Sequence, residues 1–117
     1  DRVDNIEKGL YHYNPLNNEL EFLSSKIEIQ EKKDLESTPQ VKIIITSRIA
    51  RTSYKYENIA YRLILIDLGC MLQTMMLTAE SLQLKSYIVG AISKNTLSAI
   101  QIDENDEIII GSLILGK

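Results

Sequence analysis

"IAYRLILIDLGCMLQTMMLTA", residues 59–79, is the stretch whose reading decides the fold. It is about as long as a helix that crosses a bilayer. Arg62, Asp67 and Gln73 interrupt it, and no aromatic or basic belt closes its far end. A charge at mid-membrane depth costs a lone span about 2.5–3.5 kcal/mol, so the stretch reads as the core helix of a soluble protein. Apolar residues at 61, 65, 68, 72, 75, 76, 79 and 82 recur by threes and fours, the spacing of one helix face. Others, at 59, 63, 64, 66 and 71, lie off that stripe. A helix that is apolar nearly all round is covered on all sides, and a chain of 117 residues has little material for the task. A second copy of the chain is therefore expected against it, the plainer alternative being a central core helix.

Outward from this helix, predicted over 57–83, the pattern is mostly strand. "VKIIIT" (41–46) is a β-branched run of the kind found in buried strands. "SYIVGAI" (86–92) and "EIIIGSLIL" (107–115) are further strands, each with a glycine inside. "GLYHYNPLNNELEFL" (9–23) reads as a hairpin, because two β-prone runs flank the turn formers Asn and Pro. Residues 24–40 are polar and read as a surface loop, 47–56 as a basic and aromatic connector, 93–102 as a short helix and 103–106 as a turn. The expected class is α+β: a sandwich with a long central apolar helix against a mixed sheet, all in one domain over 1–117.

Bulk composition removes several function classes. Hydrophobic residues at 44% and charged residues at 25% describe a globular chain. A net charge of −3 offers no footprint for nucleic acid or an anionic membrane. Cys70 is the one cysteine, which excludes an internal disulfide and suits a reducing compartment. The first residues lack a basic start followed by a short apolar core, so no signal peptide is expected and the location is read as cytoplasmic. The polar opening "DRVDNIEKG" runs straight into the hairpin, as if a preceding strand belonged to another piece of a larger protein.

The motifs that carry chemistry are few. The glycines at 9, 69, 90, 111 and 116 have neither Walker nor Rossmann spacing. His12 is the single histidine, which rules out a serine triad beside a histidine-rich metal site and favours a structural role. What remains is "SYKYENIAYR" (53–62), where Tyr54, Lys55, Tyr56, Tyr61 and Arg62 crowd the mouth of the apolar helix. Lysine and tyrosine have ordinary pKa values of roughly 10.4 and 10. A nearby cation, burial or a bound ring system can bring either into service as a proton acceptor. The alternative is that long amphipathic side chains at a helix entrance simply snorkel.

These residues, in order, resemble the SagB-type dehydrogenases of the FMN-dependent nitroreductase superfamily. The resemblance runs through Arg51, Tyr54-Lys55-Tyr56, Tyr61-Arg62, Gly69, Gln73, Ala79-Glu80 and Leu82, together with the Gly-Leu-Tyr-His-Tyr hairpin and the closing "LILGK". It departs at Cys70, where many relatives carry His, at Thr74, where they carry Asn, and at Gln83, where a glycine is usual.

The resemblance implies an enzyme that oxidises peptide azolines to thiazoles or oxazoles in modified-peptide biosynthesis. It implies FMN at the interface of a homodimer, an azoline-containing precursor peptide as substrate and a cyclodehydratase complex as partner. Lys55 and Tyr56 map onto the proton-abstracting pair. Val89 and Gly90 map onto the strand that presents backbone to the flavin ring, and Lys117 is a candidate for its phosphate. A strand bulge is the competing reading of Gly90. The family's N-terminal flavin-phosphate segment and a Pro-Ser-Ala-Gly-Gly motif do not occur here, so the chain corresponds to a C-terminal half that an N-terminal partner chain would complete. Two rival functions stand beside this one: a general nitroreductase-like NAD(P)H oxidoreductase, and a flavin-free scaffold or peptide-binding partner.

Overall fold

The computed structural model describes residues 3–25, 40–90, 100, 102–103 and 105–117. Strands β1 (Leu10–Asn14) and β2 (Glu19–Ser24) form an antiparallel hairpin. Its turn follows local chemistry. The Asn14 side-chain oxygen accepts from the Leu16 amide at 3.0 Å, and Asn18 takes the left-handed conformation (φ 52) that asparagine tolerates. Tyr11 and Phe22 close the hairpin edge-to-face at 5.4 Å.

The remaining strands are β3 (Val41–Ser47), β4 (Lys85–Val89) and β5 (Ile108–Gly116), in the order β3-β5-β4. Both pairings are antiparallel, so β3 and β4 run parallel to one another with β5 inserted between them. The strands begin and end within two residues of their predicted limits, apart from β4, which starts one residue early and ends at Val89. The predicted loop over 24–40 falls largely outside the described residues, and so does nearly all of the predicted helix over 93–102. The 103–106 turn is present: the amides of Asp106 and Glu107 both donate to the Asp103 carbonyl, at 3.0 and 2.9 Å.

The expected connector is instead a helix. Helix α1 (Ile49–Tyr56) follows β3, a 3-10 turn spans Glu57–Ile59, and α2 (Ala60–Ser81) follows. The basic and aromatic content of 47–56 concealed its periodicity: Ile49, Thr52 and Ser53 are half-buried on one side, with Tyr54 and Lys55 outside. Arg48 supplies no side-chain cap, so nothing at the N-terminus of α1 announced a start. Glu57, at φ 43 and ψ −119, separates the two helices. Helix α2 ends in a Schellman motif, with Gln83 left-handed (φ 58). There the Leu84 amide donates to the Ala79 carbonyl and the Gln83 amide to that of Glu80, both at 2.9 Å.

Helix α2 buries Ala60, Ile64, Leu68, Leu72 and Ala79. Leu68 and Leu72 meet Ile45 and Leu113 there, with Met75 and Met76 at the margin. Tyr61 and Leu65, both predicted on the inner stripe, are 55% and 41% exposed. A helix that is apolar on every side carries no pattern that singles out its inner face. Gly111 makes the close approach possible: a Cβ there would lie 3.2 Å from both methyl carbons of Leu68. By length and composition the helical run 49–81 could also cross a membrane. One such helix is weak ground for a span, and its inner stripe is occupied by the sheet.

Candidate functional site

Two of the strands that lead to candidate residues, β3 and β4, run in the same direction along β5. Strand β3 leaves the sheet at Ser47, opposite Ile108, and hands the chain to α1. Strand β4 runs the same way but ends at Val89 opposite Ser112, midway along β5. Lys55 and Tyr56 lie in the last turn of α1, roughly 10 Å of helix beyond the β3 exit, and Val89 and Gly90 lie at the β4 exit.

Lys55 is exposed, and its Nζ sits 5.2 Å from the centroid of the Tyr56 ring, within cation–π range. Tyr56 is 41% exposed and Tyr54 94% exposed. The pair is thus side by side and open on the outer side of the chain.

At the β4 exit, the hydroxyl of Ser112 donates to the Val89 carbonyl at 3.1 Å. Ser112 is fully buried in the middle of β5, so this bond pins the last residue of β4 from beneath. Among the described residues, a Cβ built on Gly90 would meet nothing within 4 Å.

Lys117 sits at the opposite end of β5. The register places it five residues beyond Ser112, about 16 Å along the strand. It does not gather with Lys55 and Tyr56, and only an elongated ligand along β4 and β5 would touch both Lys117 and Gly90. FMN is elongated, with a flat ring at one end and a phosphate at the other. Val89, Gly90 and Lys117 fit those two ends in kind.

One ionic cluster lies where α1 begins. Arg48 Nε donates to Glu107 Oε2 at 3.0 Å and lies 3.5 Å from Asp106 Oδ2. The Thr46 hydroxyl and this guanidinium together hold the Glu107 carboxyl below its ordinary 4.5. Glu107, chiefly, raises Arg48 in turn. On the hairpin, Asn14 donates to Glu21 at 2.8 Å and His12 Nδ1 lies 3.2 Å from the same carboxylate. Those two bonds, Asn14 first, lower the Glu21 carboxyl. An apolar hollow between Met75, Leu82, Leu84 and Leu115 opens at the far end of α2. It is lined by no titratable side chain and is a packing seam.

Arg48 and Ser112 were not singled out in the sequence, and Glu107, which reads there as one of the solvated carboxylates over 103–107, is instead paired with Arg48. Arg48 and Glu107 are 59 residues apart, so no local pattern joins them. Ser112 did leave a trace, as the one polar residue within "IIIGSLIL".

The fold and site define an α+β unit in which one long helix covers an antiparallel sheet and the basic–aromatic pair stands at a strand exit. Residues 17–117 match the model of the nitroreductase family, and the chain belongs to that family. Flavin-dependent oxidoreductase chemistry is typical of that family. Among solved structures, the chain is similar to a chain of the E. coli microcin synthetase McbBCD complex with truncated pro-MccB17 bound. The two are 21% identical with a TM-score of 0.82, over 97% of this chain and 47% of that one. The protein therefore spans about half the length of that structural relative, and at this identity the likeness speaks for the fold. No curated protein matches the chain.

Proposed function

We propose that the chain is part of an FMN-dependent dehydrogenase that oxidises azolines in a precursor peptide to thiazoles or oxazoles. The observation that supports this reading is the Lys55–Tyr56 pair, with Lys55 Nζ 5.2 Å from the centroid of the Tyr56 ring. Aromatising an azoline removes one proton from carbon and one hydride. FMN, when bound, supplies the hydride acceptor. Lys55 and Tyr56 take the proton, a task that needs a positioned base because the C–H is weakly acidic. Val89 and Gly90 orient the ring through backbone groups, with Ser112 holding that backbone still.

Three further expectations belong to this reading. The outer side of α2, with Ile66 at 53% exposed and Leu77 at 63%, is covered by a second copy of the chain. A cyclodehydratase complex delivers the peptide, and an N-terminal chain completes the flavin site. The whole works in a reducing, cytoplasmic setting. The structural likeness to a peptide-modifying synthetase supports the substrate class. A general NAD(P)H nitroreductase is the second reading, supported by family membership alone. A reductase that passes on flavin hydride needs no carbon-acid base, so the Lys55–Tyr56 pair would be idle in it.

The test is substitution in the complete, flavin-loaded assembly. Lys55→Ala and Tyr56→Phe should each abolish azole formation while FMN stays bound, read from the visible absorption of the purified protein. Full turnover in both variants removes the proposed role. A complete assembly without flavin absorption points to a scaffold.

A further inference from the structure

Helix α1 carries Lys55 and Tyr56, yet it has no buried residue and no side-chain N-cap. Its last turn closes with the Glu57 amide donating to the Ser53 carbonyl, and the chain then breaks at the positive φ of Glu57. Such a helix is not aimed by its own packing alone. The polar tie at its start is Arg48, which is joined to Glu107 at 3.0 Å and faces Asp106 at 3.5 Å. Both carboxylates belong to the turn that opens β5. That turn is itself held, by the Asp106 and Glu107 amides on the Asp103 carbonyl and by the Asn105 amide on the Asp103 side chain at 3.0 Å. Thr46, at the end of β3, also donates to Glu107. The carboxylate therefore ties the last turn of β3, the first residue before α1 and the start of β5 to one point.

We infer that Arg48 is a positioning residue, which sets the angle at which α1 leaves the sheet and hence where Lys55 and Tyr56 meet the substrate. This rests on the reading of Lys55 and Tyr56 as the proton-abstracting pair. Arg48 is 46% exposed in its side chain, and exposed ion pairs contribute little to stability. Its value is directional: the Nε–H of the rigid guanidinium plane donates to Glu107, a geometry that a freely rotating ammonium does not fix. A catalytic group misplaced by about 1 Å loses on the order of 100-fold in rate.

The experiment measures azoline oxidation by the complete, flavin-loaded assembly carrying Arg48→Ala, Arg48→Lys, Glu107→Gln, or the exchange of Arg48→Glu with Glu107→Arg. Lys55→Ala is the reference. Arg48→Ala should lower kcat by roughly 10- to 100-fold, with KM for the peptide and flavin occupancy nearly unchanged. Arg48→Lys and Glu107→Gln should fall in between, and the charge exchange should recover most of the loss. A merely structural role would instead lower flavin occupancy and thermal stability together, without rescue by the exchange. If Lys55→Ala abolishes turnover while Arg48→Ala keeps it, the positioning role is overturned and the catalytic reading stands. If Lys55→Ala keeps turnover, the catalytic reading itself fails and this inference with it.

Discussion

Arg48 Nε meets Glu107 Oε2 at 3.0 Å across 59 residues of sequence, joining the start of α1 to the start of β5. The pair has a pH signature whose sign follows from the depressed carboxyl. Because the folded state holds Glu107 below its ordinary 4.5, ionised Glu107 stabilises the fold above that pH. The contribution is lost as pH falls through the lowered folded value. Thermal melts of wild type and Glu107→Gln should thus differ at neutral pH, with the gap closing as pH falls below 4.5. A gap that persists unchanged to pH 2 would show that the ion pair is not its source. Glu21 shifts in the same direction through Asn14 and His12, so the comparison with Glu107→Gln, rather than the wild-type curve alone, isolates the Glu107 carboxylate, which Thr46 and Arg48 hold together.

Two non-glycine residues occupy left-handed backbone at helix ends. Gln83 does so at φ 58 in the Schellman motif of α2, and Glu57 at φ 43, ψ −119 after α1. Strain at such positions costs of order 1–3 kcal/mol, against roughly 0.5–1 kcal/mol of extra chain entropy lost by a glycine. Gln83→Gly should stabilise the protein by about 0.5–1 kcal/mol, and Glu57→Gly by about 1–2 kcal/mol, since its ψ lies outside the ordinary left-handed well. Denaturant titration measures both. A loss of stability in either variant would mean that the side chain, not the backbone, governs that site.

The open side of α2 makes a prediction about assembly. Ile66 is 53% exposed and lies outside the Leu68–Leu72–Leu113 core, so Ile66→Glu should leave the fold of a single chain intact. If a second copy covers this side, burying the new carboxylate against it costs several kcal/mol, and sedimentation should show the dimer dissociating. A variant that sediments as wild type does would place the interface elsewhere.

Much of the architecture could be read locally. The hairpin over 10–24 follows from Asn14, Pro15 and Asn18, whose conformational preferences act within a few residues. "VKIIIT" and "EIIIGSLIL" announce strands through β-branched runs, and the periodicity of 59–79 announces the helix. The Lys55–Tyr56 pair also stood out, as a cluster of phenols and cations before an apolar run. Helix α1 did not, because it has no cap signal and its half-buried side is made of Ile49, Thr52 and Ser53 rather than an apolar stripe.

The residue types alone thus determined most of the elements, the hairpin turn and the adjacency of Lys55 and Tyr56, all of which depend on interactions between near neighbours. Tertiary structure decided the rest. It set β5 between β3 and β4, turned Ile64 inward and Leu65 outward on a helix apolar on both sides, and slid Leu68 over Gly111. It also brought Arg48 to Glu107 and Ser112 beneath Val89. Each of these joins segments far apart in the chain, and their geometry exists only once the helix has packed on the sheet.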